Sequence, residues 1–255
     1  MYRYLAFLLS TFLLFNCQSE TTSSEETASE NSSVPTQNDS DRLQAELNQI
    51  KLELRSERTL KNAFRLAEFY EQQQNQEAVN SIYQALPAAY PNDEDIVAIK
   101  VKLDANLPNL TQRLTELYYN TSDAEQRIST KGINDYVTSA EAVALIHPQA
   151  DSMAVHLKRA AESSLSIRGF DQALYLYDLL ISRYPDTKES EQALFRTAFI
   201  YDNDLGEMEK AKETYQAFIN KYPNSEFADD AQFLLQNIGK DDAEILESLL
   251  KKQEQ

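Results

Sequence analysis

Apolar residues recur at spacings of three and four over most of the 255-residue chain, which predicts amphipathic helices. Near the C-terminal end, Leu194, Ala198 and Tyr201 share one face of a first helix, and a polar turn follows. A second helix then presents three core-type residues, Ala211, Tyr215 and Phe218. Pro223 stops that helix, because a proline ring fits neither the preceding turn nor an interior hydrogen bond.

The same pattern returns several times along the chain. Three aromatic–proline pairs each follow a helix-shaped stretch: Tyr90-Pro91, Tyr184-Pro185 and Tyr222-Pro223. In the last two copies second-helix positions differ by 38 and first-helix positions by 37, which places one inserted residue in the turn before Ala211. His147-Pro148 stands 37 before Pro185 and marks a degenerate copy. A period of this size indicates a repeat array, in which no unit buries its apolar face alone.

These residues resemble the tetratricopeptide repeat family. The resemblance covers Met153 to about Gly239. It extends more loosely over Asn62 to Pro91, where Ala78 matches Ala173, the turn is one residue shorter and the second helix one residue longer. The chain has no tryptophan, and leucines stand where the family carries one. The resemblance implies an all-α fold, a right-handed superhelical solenoid of antiparallel helix pairs, which acts as a scaffold without catalytic residues or cofactors.

In this family ligands lie in a concave groove lined by the first helices. The residues that the resemblance places on that face are related by 37 positions: Lys158, Glu162, Leu165, Phe195, Phe199 and Asp202. Two phenylalanines flanked by charges would offer apolar anchors to a partner peptide. Alternatively, Phe195 and Phe199 pack against neighbouring helices.

The segment from Ala217 to Ser225 is most similar to envelope members of the family in bacteria. These include the barrel-assembly lipoprotein and the Tol–Pal-associated periplasmic coordinator. The resemblance implies a scaffold for outer-membrane protein assembly or for Tol–Pal and cell-wall coordination, with envelope proteins or peptide segments as partners. Two alternatives are a periplasmic subunit that recruits a cell-wall enzyme and an accessory subunit of an envelope transport system.

Residues 1–16 have the proportions of a signal peptide, with a basic start and an apolar run too short to span a bilayer. Cys17 is the only cysteine and follows Leu14 at the spacing of a lipoprotein signal, so we predict lipidation there. A chance cysteine beside an ordinary signal peptide is the alternative. Residues 17–40 are rich in Ser, Thr and Glu and read as a disordered tether. We therefore expect an outer-membrane lipoprotein that faces the periplasm.

Residues 41–107 are assigned to an N-terminal helix and the first helix pair. The helix is predicted from Asp41 to Lys61, with four seam residues spaced 4, 3 and 4 apart: Leu43, Leu47, Ile50 and Leu54. The seam either packs against the array or forms a short coiled coil that makes the chain an oligomer, such as a trimer.

Residues 108–152 are assigned to a degenerate repeat. The polar stretch from Asn120 to Gly132 reads as a long loop, which is either functional or the remnant of a decayed repeat. Residues 153–239 hold two repeat units and a following helix, predicted from Ser225 to Ile238. Residues 240–255 form a capping helix that starts at Asp241.

The composition of the chain argues against several classes of function. The chain carries 24 basic and 41 acidic residues, a net charge of −17, which argues against nucleic acid and against docking on anionic lipid by charge. His147 and His156 are nine apart, match no metal-ligand spacing and are expected at the surface or in loops. Four glycines form no phosphate loop. We expect no metal site and no enzymatic activity.

Overall fold

A computed structural model describes residues 37–96, 109–150, 152–240 and 244. The predicted signal peptide, Cys17 and almost the whole tether lie outside these residues. The chain divides into two units, residues 1–40 and 41–255. Of the first unit only residues 37–40 are described, and they are helical.

The described part consists of helices joined by turns and loops, with one isolated β-bridge between Ser122 and Ile128. Its helices have the following bounds: α1 Gln37–Ser56, α2 Leu60–Gln72, α3 Gln76–Ala89, α4 Leu110–Tyr119, α5 Thr130–Ile146, α6 Met153–Ser166, α7 Phe170–Arg183, α8 Lys188–Phe199, α9 Met208–Lys221 and α10 Ala228–Asn237. Pairs α2–α3, α6–α7 and α8–α9 pack helix on helix, and successive pairs pack on one another. The predicted all-α solenoid of helix pairs is confirmed.

The second helices are alike in length and in the way they end. Helices α3, α7 and α9 each have 14 residues and stop directly before a Tyr-Pro pair. In each, the tyrosine N–H donates to the carbonyl four residues back, of Leu86, Leu180 or Phe218. The N–H of His147 donates to Val143 in the same way, so α5 ends like the other copies.

The inserted residue of the last repeat lies in a π-helical turn, Ile200–Asp204, at the end of α8. In the preceding pair the turn closes with a hydrogen bond from Gly169 N to Ser164 O, five residues apart. In the last pair the corresponding bond runs from Glu207 N to Tyr201 O, six residues apart. The extra residue is therefore absorbed where the first helix widens, and the second helix keeps its length.

The predicted geometry of the looser copy is wrong by one residue. Its turn closes from Asn75 N to Tyr70 O, the same separation as in the α6–α7 pair, and its second helix has the same length. The fourth residue of α3, Val79, is buried and stands where Ala173 stands in α7. Ala78, matched to Ala173 by sequence, therefore lies one position early.

Helix α1 ends at Ser56, and Lys61 already belongs to α2, so the predicted helix from Asp41 to Lys61 runs too far. Ile50 and Leu54 are buried in the main core, and the other two seam residues are partly buried against it. The seam residues therefore pack against helices of their own chain, which is the first of the two alternatives.

Helices α4 and α5 form the degenerate pair. The connecting loop covers 120–129, because α5 begins at Thr130, three residues earlier than predicted. Gly132 lies where α5 passes the loop, and a Cβ there would sit 1.9 Å from the carbonyl oxygen of Asn120. Beyond α9, α10 lies within the predicted range from Ser225 to Ile238. The predicted capping helix falls outside the described residues, except for 240 and 244.

Buried residues form two core clusters. The larger runs from α1 to α8 and includes most of the apolar residues of α5. The smaller lies between α8, α9 and α10 and consists of Ala198, Ala211, Tyr215, Phe218 and Ala231. Alanines at these closest points let the helix backbones approach, and aromatic rings fill the space around them.

Candidate functional site: the first-helix face

The surface formed by α4, α6 and α8 is the candidate site, and it is called the first-helix face below. Five of its residues are Tyr118, Arg159, Glu162, Arg196 and Phe199. Helices α6 and α8 are the first helices of neighbouring repeats and are in direct contact. The face therefore continues from one repeat to the next.

Three of the six predicted groove residues lie on α6. The ammonium of Lys158 is 3.4 Å from the carboxylate of Glu162, one helical turn away. Leu165 is partly buried and packs against the larger core, so it supports the helix more than it offers a contact to a partner.

Phe195 is partly buried and packs against the smaller core cluster. Its ring stacks on Phe227 with centroids 5.1 Å apart, and it meets Phe218 and Tyr215 edge-on at 5.5 and 6.1 Å. These contacts join α8 to α9 and to the start of α10. These are the contacts that the packing alternative supposes, and a role of Phe195 as an anchor for a partner stays a prediction.

Phe199 lies at the surface end of α8, half-buried, with the guanidinium of Arg196 over its ring at 5.6 Å from the centroid. Asp202 lies in the π-helical turn. Burial raises the pKa of its carboxyl group, and the nearby Tyr215 hydroxyl opposes that rise. Phe199 therefore contributes to the first-helix face.

Two arginines belong to this face that sequence reasoning missed. Arg159 and Arg196 are separated by 37 residues, the first-helix repeat distance. The guanidinium of Arg159 lies 4.8 Å from the ring centroid of Tyr118 on α4, just as Arg196 lies over Phe199. The period itself was the signal, but the predicted face was counted from Lys158 and passed over the residue next to it.

Two buried tyrosines on the second helices, Tyr136 and Tyr177, lie near charged residues of this face. Tyr177 is fully buried, and burial raises the pKa of its hydroxyl to about 12; Glu162 adds to the rise and Arg196 opposes it. Tyr136 is also fully buried, and its pKa is raised by burial while Arg159 opposes the rise. The charged groups Arg159, Glu162 and Arg196 are therefore close enough to these two hydroxyls to affect their pKa values.

The position of His156 differs from the one predicted from the sequence. It was expected at the surface or in a loop, yet it is only 2% exposed, inside α6. Its Nδ1 is 3.0 Å from the hydroxyl of Tyr136, and that hydroxyl also lies 3.1 Å from the backbone carbonyl of His156. Burial, with the positive charge of Arg159, lowers the pKa of His156 to about 4, so the ring is neutral at pH 7. His147 is half-buried at the end of α5.

Within 37–96, 109–150 and 152–240, no three His, Cys, Asp or Glu side chains are grouped so that they could hold a metal ion. No helix of these ranges combines the length and the apolar character needed to cross a bilayer.

Comparison with known proteins agrees with the repeat structure. Residues 192–225, from within α8 to the turn after Pro223, match the family model of the tetratricopeptide repeat. No curated protein and no solved structure matches the chain. Repeats of this type mediate protein–protein interactions and are generally non-catalytic. The chain therefore contains a tetratricopeptide repeat within a solenoid-like helical array.

Proposed function

We propose that this protein is a non-catalytic, lipid-anchored scaffold of the bacterial cell envelope that holds partner proteins on its first-helix face. The observation that carries the proposal is the continuity of that face across α6 and α8, where an arginine, Arg159 or Arg196, recurs after 37 residues. A rigid array with a repeated surface suits an extended partner segment, because each repeat adds a similar set of contacts.

The anchor rests on the sequence around Cys17. An apolar run of signal-peptide length precedes the cysteine, and a polar stretch follows it. Lipid at Cys17 would hold the array at the outer membrane, facing the periplasm, and the tether would let it reach its partners. Within the envelope, the duties that we propose are outer-membrane protein assembly and coordination of the Tol–Pal or cell-wall machinery.

Crosslinking in intact cells tests both parts of the proposal. A photoreactive amino acid replaces Ser163, which is half-buried on α6 beside Glu162; a matched control replaces Gln216, which is exposed on α9. We expect discrete protein adducts from position 163, few from position 216, and loss of the adducts with Cys17→Ala. A β-barrel insertase among them would indicate outer-membrane assembly, a Pal-like protein or cell-wall synthase would indicate cell-wall coordination, and an exporter would indicate transport.

Two results would contradict the proposal. If position 163 yields no more adducts than position 216, the first-helix face does not bind protein. If the wild-type chain fractionates as soluble and does not take up labelled fatty acid, the lipid anchor is wrong.

A further inference from the structure

A cavity lies where the ends of three helices meet. The link between α1 and α2 contributes Arg58, the end of α7 contributes Arg183 and Tyr184, and the link between α5 and α6 contributes Pro148. The volume of the cavity is about 620 Å³, which is enough for a small organic molecule. None of the five residues named for the first-helix face lines this cavity, so the two surfaces are separate.

Two arginines make the cavity positive in a chain whose net charge is −17. Burial lowers the pKa of Arg183, and the charges of Arg58 and Arg55 lower it further, so the three guanidinium groups are close enough to repel one another. Arg55 forms an ion pair with Asp178 at 2.8 Å. Within 37–96, 109–150 and 152–240, neither Arg58 nor Arg183 has such a partner, and no carboxylate of these ranges lines the cavity.

Hydrogen bonds hold two walls of the cavity in place. Arg183 donates from Nη2 to the backbone carbonyl of Arg55 at 3.1 Å, and the hydroxyl of Tyr184 donates to that of Pro148 at 2.6 Å. A guanidinium group has five N–H donors, so the bond to Arg55 orients Arg183 and leaves other donors for a ligand. Because Arg183 is already oriented, less conformational entropy is lost when it binds.

The start of α6 adds to the positive potential of the cavity. Met153 and Ala154, the first two residues of this helix, belong to the lining. Ser152 precedes them with a φ of +61°, and its side chain does not cap the helix. The N–H groups of a first helical turn carry partial positive charge. The two arginines define the site, and the helix start strengthens the attraction for an anion.

We propose that this cavity binds the phosphate group of a phosphate ester, with Arg58 and Arg183 as its cationic partners. The edge of a guanidinium group matches two phosphate oxygens, and such charge-assisted bonds are stronger than neutral ones. A phosphate monoester carries about two negative charges near neutral pH, so it balances two arginines, whereas a carboxylate balances only one. The cavity also leaves room for the organic part of the ester.

Isothermal titration calorimetry at constant ionic strength tests the site, with the full chain purified in a neutral detergent. The ligands are inorganic phosphate, glycerol 3-phosphate, acetate and glycerophosphoglycerol, which is the phosphodiester headgroup of a phospholipid. We expect glycerol 3-phosphate to bind at least about tenfold more tightly than acetate, because it offers more charge to the arginines. Tightest binding of glycerol 3-phosphate indicates a soluble monoester as the ligand, and tightest binding of glycerophosphoglycerol indicates a lipid headgroup.

Variants assign the binding to the cavity. Arg58→Glu places a negative charge beside Arg183 and should weaken phosphate binding at least about tenfold. Arg58 is exposed, so its replacement should leave the fold intact. The matched control is Arg168→Glu, which makes the same change of charge at an exposed position in the turn between α6 and α7 and should bind like the wild type. Circular dichroism melting curves that match the wild type verify that both variants are folded.

Two results would overturn the inference. If no phosphate ligand binds more tightly than acetate, the cavity does not select phosphate. If Arg58→Glu loses no more affinity than Arg168→Glu, the ligand responds to the charge of the whole chain or binds elsewhere. Neither result touches the scaffold proposal, which concerns the first-helix face and is tested by crosslinking at position 163.

Discussion

The hydroxyl of Tyr184 donates a hydrogen bond to the backbone carbonyl of Pro148 across 2.6 Å. Tyr222 does the same to Pro185, at 3.1 Å. In the last two copies the tyrosine of the aromatic–proline pair thus binds the proline carbonyl of the preceding copy. That carbonyl accepts the bond just beyond the end of a second helix, where the helix no longer uses it. The pair therefore ends one repeat and also joins it to the one before.

We expect Tyr184→Phe to lower the free energy of unfolding by about 1 kcal/mol, because the variant keeps the ring but loses the hydrogen bond to Pro148. Urea denaturation followed by circular dichroism measures the change. Tyr119→Phe is the matched control, since Tyr119 is 72% exposed. If both variants unfold at the same urea concentration as the wild type, the bond between repeats contributes nothing to stability.

Helix α1 is held to the array by a buried ion pair. The ammonium of Lys51 lies 2.6 Å from the carboxylate of Glu141, whose side chain is 1% exposed, and Gln172 donates to the other carboxylate oxygen at 3.0 Å. The charge of Lys51 balances a carboxylate that has almost no water around it. This pair links α1 to α5, and Gln172 adds α7.

Glu141→Gln should destabilise the fold by about 3 kcal/mol, because it leaves Lys51 without its opposite charge in a buried site. Chemical denaturation gives the magnitude, and limited proteolysis in the link between α1 and α2 shows whether α1 has come away. Lys131→Gln removes an exposed pair with Asp135 at 2.5 Å and should leave stability unchanged. Equal stability of the two variants would mean that α1 does not depend on this pair.

Much of the fold could be predicted from the repeat distances in the sequence. Each aromatic–proline pair marked the end of a second helix, because proline cannot donate the helical hydrogen bond and its ring clashes with the preceding turn. The one-residue error at Val79 arose because the first copy has no neighbour at a fixed distance that could correct it. The ion pair between Lys51 and Glu141 joins residues 90 positions apart, and no local sequence pattern predicts such a contact.

The candidate site was predictable only in part. The period placed the face on the first helices, but it could not show that the ring of Phe195, predicted on the face, stacks on Phe227 at the start of α10. The arginines at 159 and 196 share the same period as the predicted residues. Only their positions over Tyr118 and Phe199 show that they differ from ordinary surface charges.

Gly132→Ala should unfold the α4–α5 connection, since the added Cβ would lie 1.9 Å from the Asn120 oxygen, a backbone atom that cannot rotate away. We expect a loss of about 3 kcal/mol. Gly206→Ala is the comparison: Gly206 has open space around it but a φ of +66°, so that the cost is about 1 kcal/mol from backbone strain alone. Thermal melting ranks the two variants, and a smaller effect at Gly132 would show that the loop moves aside freely.

His156 should make the protein sensitive to acid. Its pKa of about 4 lies below the usual 6.5, so the neutral ring is the form that the folded state favours. The resulting stability is complete above pH 6.5 and is lost as the pH falls through 4, because the unfolded chain binds the proton first. A difference of this size corresponds to about 3 kcal/mol in strongly acidic solution. Urea titrations at pH 7 and pH 4 compare the wild type with His156→Gln, which cannot titrate. Acidic side chains affect both proteins alike, so the wild type should lose more stability than the variant over this interval. Equal losses would place the His156 ring in contact with water.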